Sequence, residues 1–193
     1  MSRFDGIIFD MDGTLIEPLL DFGAIRRDLG IDAETGILEG VAAMPPARAA
    51  RARRRLLRHE TTAARRAGLM PGAAETLAAF RRAGVPTALL TRNAAPAMRT
   101  ILRRFPVLRF DLCWSRENGP IKPEPDGILR ACRRLGVEPG RTACVGDFLF
   151  DVLAAEAAGA VSVLFAPGGP PDWADRADHV VAALSELPAL AGL

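Results

Sequence analysis

The chain has 193 residues, of which 49% are apolar and 25% charged, with a net charge of +2. That is enough for one well-cored domain, or a core with a small appended unit, at a composition ordinary for soluble globular proteins. No apolar run approaches the roughly 18 residues that span a bilayer. The N-terminal run Ile7-Ile8-Phe9 ends at once in aspartates instead of continuing as a secretory signal would, so no membrane partner is expected.

Residues 4–9 read as a short buried strand ending in the polar turn Asp10-Met11-Asp12-Gly13-Thr14, with a glycine where the backbone needs freedom. Residues 21–69 read as helical, rich in alanine and arginine and broken at Gly30, Gly36, Gly40 and Pro45-Pro46. Within them, 47–67 form a long helix with Ala49, Ala52, Leu56, Ala63 and Ala67 as its apolar stripe. After Leu69-Met70-Pro71-Gly72 strands and helices alternate. Helix 73–83 precedes Gly84, strand 85–90 runs into Thr91-Arg92-Asn93, and helix 95–104 tolerates Pro96 in its first turn. Strand 110–114 leads to helix 126–135, closed by Gly136. Strand 142–145 ends in Gly146-Asp147, helix 150–158 stops at Gly159, and 161–165 is the last clear strand. The tail holds a loop rich in proline and glycine, a short edge strand at 179–181 and a terminal helix.

This alternation implies an α/β fold, a doubly wound parallel sheet of the Rossmann-like kind, with ligands at the carboxyl ends of its strands. The helical stretch interrupts the alternation between the first and second strands and reads as a small inserted α-helical cap. The expected division is 1–17 and 70–193 as catalytic core and 18–69 as cap.

Charge and cysteine usage narrow the setting. Residues 41–70 hold eight arginines against one acid, Glu60, so the segment is +7 and the rest of the chain −5. No aromatic residues interleave with the arginines as a stacking platform for bases requires, so the stretch reads as a solvated helix face and no nucleic acid is expected. Of the 25 basic residues only Lys122 is a lysine. It marks a place where a compact ammonium is needed and a planar fork will not serve. Cys113, Cys132 and Cys144 form neither a CxxC pair nor a zinc pattern and read as buried thiols, which makes the cytoplasm the expected location.

Three predicted strand ends carry reactive groups: Asp10 and Asp12, Thr91, and Asp147. Lys122 lies in the loop after a fourth strand. Such a set suits phosphoryl transfer, which needs a nucleophile, offset charge and a proton for the leaving oxygen. An aspartate can attack phosphorus to give an acyl phosphate, and a second acid two residues on can serve as acid and then base. Neighbouring carboxylates favour Mg²⁺, a hard cation with oxygen ligands. Asp147 and Asp151 are the candidates for a ligand and its support. Thr91 offers a hydroxyl, and nearby backbone amides can cradle phosphate oxygens. Each feature alone is common in ordinary turns; four in this order are hard to explain that way.

Together they closely resemble the haloacid dehalogenase-like hydrolases, in particular the phosphoglycolate phosphatase-like branch with a small helical cap after the first strand. The match covers residues 4–166 through four motifs: Phe9-Asp10-Met11-Asp12-Gly13-Thr14, Leu90-Thr91, Lys122-Pro123-Glu124-Pro125, and Val145-Gly146-Asp147 through Asp151. The resemblance implies Asp10 as nucleophile and Asp12 as acid and base. It implies Mg²⁺ held by the Asp10 carboxylate, the Asp12 carbonyl and Asp147. It implies phosphate bound by Asp10, Met11, Asp12, Thr91, Arg92 and Lys122, with Asp151 supporting Lys122 or the metal's water shell. The expected substrate is a small phosphorylated metabolite.

Two departures stand out. Thr91 is followed by Arg92 and then Asn93, where the family often has Asn directly; Arg92 either adds charge near the phosphate or points outward. The cap, at roughly fifty residues, is shorter than many in this branch. A phosphomutase would use the same residues and remains an alternative, as does a non-catalytic binding module using the basic cap. Asp12 disfavours a dehalogenase, since attack on carbon gains nothing from a proton donor aimed at an ester oxygen.

Overall fold

The segment Gly6-Ile7-Ile8-Phe9 is apolar throughout because the strand it forms is covered on both faces. In the computed structural model, which describes residues 3–193, this segment is β1 (Gly6–Phe9). Three helices follow: α1 (Phe22–Leu29), α2 (Ile37–Ala42) and α3 (Pro46–Arg66). Next come α4 (Ala73–Arg82), β2 (Thr87–Leu90), α5 (Ala95–Arg104), β3 (Leu112–Trp114), α6 (Asp126–Leu135) and β4 (Thr142–Gly146). The chain closes with α7 (Leu149–Ala158), β5 (Val161–Phe165), β6 (His179–Val181) and α8 (Leu187–Leu190).

All strand pairings are parallel, in the order β3-β2-β1-β4-β5-β6. The expected α/β doubly wound sheet is therefore the observed one. Alternation along the strands sorts the two faces. Ile7, Phe9, Leu89, Val145 and Val163 pack with Leu77 and Phe80 of α4 and Ile101 of α5. Ile8, Ala88, Leu90 and Cys144 pack with Ile128 of α6 and Ala155 of α7. β1 lies between β2 and β4, so the chain leaves it toward one side first and the other later. The crevice at this reversal of strand order is where such sheets bind ligands, and Asp10 and Asp147 lie at the two strand ends that flank it.

The helices between β1 and β2 have a core of their own: Ile25 and Leu29, Val41, Ala49, Ala52 and Leu56. α1 starts on Asp21, whose carboxylate accepts a 2.8 Å bond from the Ala24 amide. α3 takes Pro46 in its first turn and buries the expected alanine and leucine stripe. Its eight arginines are all exposed. The last turns of α3 leave this cluster, for Ala64 and Ala67 belong to the main core. The two crossings between sheet and helices run side by side: Glu17 N donates to Gly68 O at 3.0 Å and Met70 N to Leu15 O at 3.0 Å.

Several boundaries differ from expectation. The strands expected at 4–9, 85–90 and 110–114 start later, at Gly6, Thr87 and Leu112. Phe4 and Val85 are apolar because they are buried, but neither belongs to a ladder. Gly40 does not break a helix; it sits inside α2, where a Cβ would come within 2.9 Å of Ile31 Cγ2, so the glycine lets the helix lie against Ile31. Cys132 and Cys144 are buried as expected, whereas Cys113 is only partly so.

Candidate active site

The site is assembled from backbone first. Asp10 follows β1, and its amide donates to Val145 O at 2.8 Å, which docks the strand end against β4. The next turn folds back tightly, with Leu15 N and Ile16 N both donating to Met11 O at 2.9 and 3.0 Å. Gly13 has φ +78°, and a Cβ there would lie 2.2 Å from Asp147 Oδ2. Glycine therefore answers two demands at once, a left-handed backbone and contact with a carboxylate. Thr14 Oγ1 donates to Asp147 Oδ1 at 3.2 Å. Gly146 plays a similar part, since a Cβ there would meet Asp151 Cγ at 2.2 Å.

Lys122 reaches into this ring of acids. Its Nζ lies 2.5 Å from Asp10 Oδ1, 2.5 Å from Asp151 Oδ1 and 2.9 Å from Leu90 O. An ammonium has three protons to give, and three acceptors surround it. Burial opposes its charge, but the Asp10 and Asp151 carboxylates outweigh that and hold its pKa above the usual lysine value. Asp10 is likewise held well above the usual carboxylate range by burial, with Lys122 drawing it down and Asp151 and Asp147 adding to the rise. Burial, together with Asp151, pushes Asp147 up to about 6. Asp12 is pushed up to about 7 by burial, then by Glu60 and Asp147.

Carboxylate oxygens of Asp10, Asp147 and Asp151 lie within 4.8 Å of one another. Four acids (these three and Asp12) thus face a single ammonium in a buried crevice. Hard oxygen donors with this surplus of negative charge fit a divalent cation such as Mg²⁺. Asp151 has another duty, accepting from Lys122 and from Phe148 N at 3.2 Å.

The remaining expected residues fall as follows. Met11 turns its side chain into the core, which leaves only its backbone to face a phosphate. Thr91 is buried at the end of β2, and its Oγ1 accepts from Asn93 N at 3.1 Å. Arg92, expected among the phosphate ligands, has its guanidinium engaged elsewhere. It donates to Lys122 O and, at 2.8 Å, to Glu39 Oε1, and lies 4.5 Å over the Phe150 ring.

Three contributors had been given no part in the site from their sequence. Asn93 Nδ2 donates to Asp12 Oδ2. It is one residue beyond the family's usual position, and its side chain reaches the acid from there. Glu60, on α3, is 3% exposed; it pairs with Arg116 and accepts from Ala94 N at 3.2 Å. Burial holds its pKa up although Arg116 draws it down. A signal for Glu60 was present, since it sits four residues after Leu56 on the apolar stripe, where a solvated acid does not belong. No comparable pattern marks Arg116.

Sequence comparison matches residues 4–159 to the haloacid dehalogenase-like hydrolases. The chain belongs to this family. Its members are hydrolases, so the protein is an enzyme by descent. A haloacid dehalogenase-like hydrolase domain-containing protein of Arabidopsis thaliana is 32% identical over 79% of the chain and 66% of its own length. A Cupriavidus necator protein named phosphoglycolate phosphatase is 29% identical over 95% of the chain and 91% of its own length. Among solved structures, a hydrolase from Pseudomonas syringae superposes with a TM-score of 0.81 at 19% identity, covering 97% of this chain and 98% of that one, which shows the shared haloacid dehalogenase-like fold.

Proposed function

We propose that this haloacid dehalogenase-like hydrolase is a Mg²⁺-dependent phosphatase that cleaves a small phosphomonoester through an aspartyl-phosphate. The observation that carries the reading is the placement of Lys122 Nζ between Asp10 and Asp151, beside Asp147. In this reading the free Asp10 carboxylate oxygen attacks phosphorus and the ester P–O bond breaks. Asp12, held by Asn93, gives its proton to the leaving oxygen. Asp12 then takes a proton from water, whose oxygen attacks the acyl phosphate; phosphate leaves and Asp10 is regenerated. Lys122 offsets the charge of nucleophile and phosphoryl group, with Thr91 and backbone amides of the turn after β1 at the phosphate oxygens. Asp10, Asp147 and the Asp12 carbonyl, with Asp151 behind, would hold Mg²⁺, which when bound would supply further positive charge against the phosphoryl oxygens.

The name of the Cupriavidus relative points to a short phosphorylated acid such as phosphoglycolate as substrate. The division into a core of 1–17 and 70–193 and a cap of 18–69 is supported by the separate cluster around Leu56. Free, buried thiols at Cys132 and Cys144 accord with a reducing, cytoplasmic setting. The test is release of p-nitrophenol from its phosphate with Mg²⁺ present. Wild type should turn over and Asp10→Asn should lose at least about a thousandfold, as loss of a covalent nucleophile does. Unchanged turnover in that variant would remove the mechanism.

A further inference from the structure

Among the described residues, two attachments of different character join the cap to the core. The first is built into the interior. α3 lies along α5, its buried Glu60 pairs with Arg116, and Arg104 donates to the carbonyls of Ala64 at 2.6 Å and Ala67 at 2.8 Å. Undoing that attachment strands a buried carboxylate. The second attachment is an ion pair between Glu39 of α2 and Arg92, the residue after Thr91. The Glu39 side chain is 48% exposed and that of Arg92 21%, so water can replace the partner and the pair can part and reform at little expense.

Arg92 is not an ordinary surface partner. It directly follows Thr91, and its guanidinium rests on the Phe150 ring of α7. One nitrogen, NH2, reaches the cap carboxylate; the other, NH1, donates to the main-chain carbonyl of Lys122. A single rigid fork thus touches α2, the helix after Asp147, and the backbone of the residue whose ammonium meets Asp10. A lysine in its place has all its donors on one nitrogen and lacks the planar fork that holds cap and loop in fixed register.

We propose that Arg92 is a positioning residue that couples the seating of α2 to the seating of the Lys122 loop. When Glu39 closes on Arg92, the guanidinium is pinned against Phe150 and against Lys122 O, and the lysine is held at Asp10. When the pair parts, α2 keeps its packing on α3 through Val41 but loses its hold on Arg92. The role accounts for the arginine at this position and rests on the reading that Lys122 serves the reaction.

Amide hydrogen exchange on the intact protein reads this coupling without turnover, and kinetics with p-nitrophenyl phosphate and Mg²⁺ read its use. Glu39→Gln should speed exchange in α2 about two- to fivefold, the range of a partly exposed ion pair, speed the Lys122 loop to a smaller extent, read at the Glu124 amide that donates to Ile121 O at 2.9 Å, and raise KM more than it lowers kcat. Arg92→Ala should speed both segments and lower kcat by about tenfold, as misplaced catalytic groups do. Arg92→Lys should restore protection of α2 but not of the Glu124 amide. The double variant Arg92→Ala with Glu39→Gln should exchange in α2 no faster than Arg92→Ala alone. Additive effects on α2, or wild-type protection of the Glu124 amide in either Glu39→Gln or Arg92→Ala, would overturn the coupling. Should Arg92→Ala loosen the sheet as well, the split between the two segments in Arg92→Lys decides. An Asp10→Asn enzyme that still turns over would sink the phosphatase reading while leaving the exchange result standing.

Discussion

Lys122 sits in a shell that only an ammonium completes. Its three protons are matched by Asp10, Asp151 and the Leu90 carbonyl, all within 2.9 Å. A guanidinium is planar and larger, and cannot direct its donors into that shell without displacing one of the carboxylates. Lys122→Arg should therefore lower kcat/KM by about a hundredfold or more while the protein stays folded; near-native kinetics would return the lone lysine to coincidence. Asp12 makes a different prediction, because in the proposed mechanism its side chain moves the proton while its backbone carbonyl would hold the metal. Asp12→Ala should lose about a hundredfold or more in kcat, the scale of acid–base catalysis, yet keep its metal affinity, since the carbonyl remains. Titration of Mg²⁺ into the variant checks the second half. At this scale the sequence was informative where chemistry is rare: one lysine among 25 basic residues drew the eye to Lys122. Asn93 and Arg116 were hidden because asparagine and arginine are common, and their partners, Asp12 and Glu60, lie 81 and 56 positions away.

At the scale of elements, α3 carries the strongest contrast. One face is arginine and water; the other is alanine, leucine and a buried carboxylate. Glu60→Ala removes the partner of a guanidinium that is only 16% exposed. Breaking such a pair costs about 2 kcal/mol after allowance for the water that still reaches Arg116. For a chain of this size that lowers Tm by roughly 4–8 °C, measurable by calorimetry; an unchanged Tm would mean the pair adds nothing to the junction of α3 and the core. The helices and strands themselves were legible from period, glycine stops and proline starts. Their ends were less so. Burial outside a ladder reads like a strand, as at Phe4 and Val85, and a glycine needed for close approach reads like a break, as at Gly40.

For the molecule as a whole, a cluster of acids at the reversal of strand order means that a bound cation should stabilise the fold. At a Mg²⁺ concentration of about 100 times Kd the gain is about 2.7 kcal/mol, which raises Tm by roughly 5–10 °C. Asp147→Asn should lose most of that shift, and chelation by EDTA should abolish turnover until Mg²⁺ is restored. An equal shift in Asp147→Asn would remove Asp147 from the metal site.

The sequence by itself determined the layered α/β plan, because alternating apolar runs and helices can bury their faces in few ways. It also marked the acids and the lysine, because phosphoryl transfer leaves residue types at strand ends that turns alone do not explain. Only the tertiary structure decided what those residues touch. The parallel order brings Asp10 beside Asp147, the fold of α3 carries Glu60 to Arg116, and the loop after β2 aims Arg92 at Glu39 and not into the ring of acids. Strand order and side-chain direction are long-range outcomes of packing, and no local spacing encodes them. Asp10 was legible as a reagent from its motif; its surroundings were legible only once the sheet was assembled.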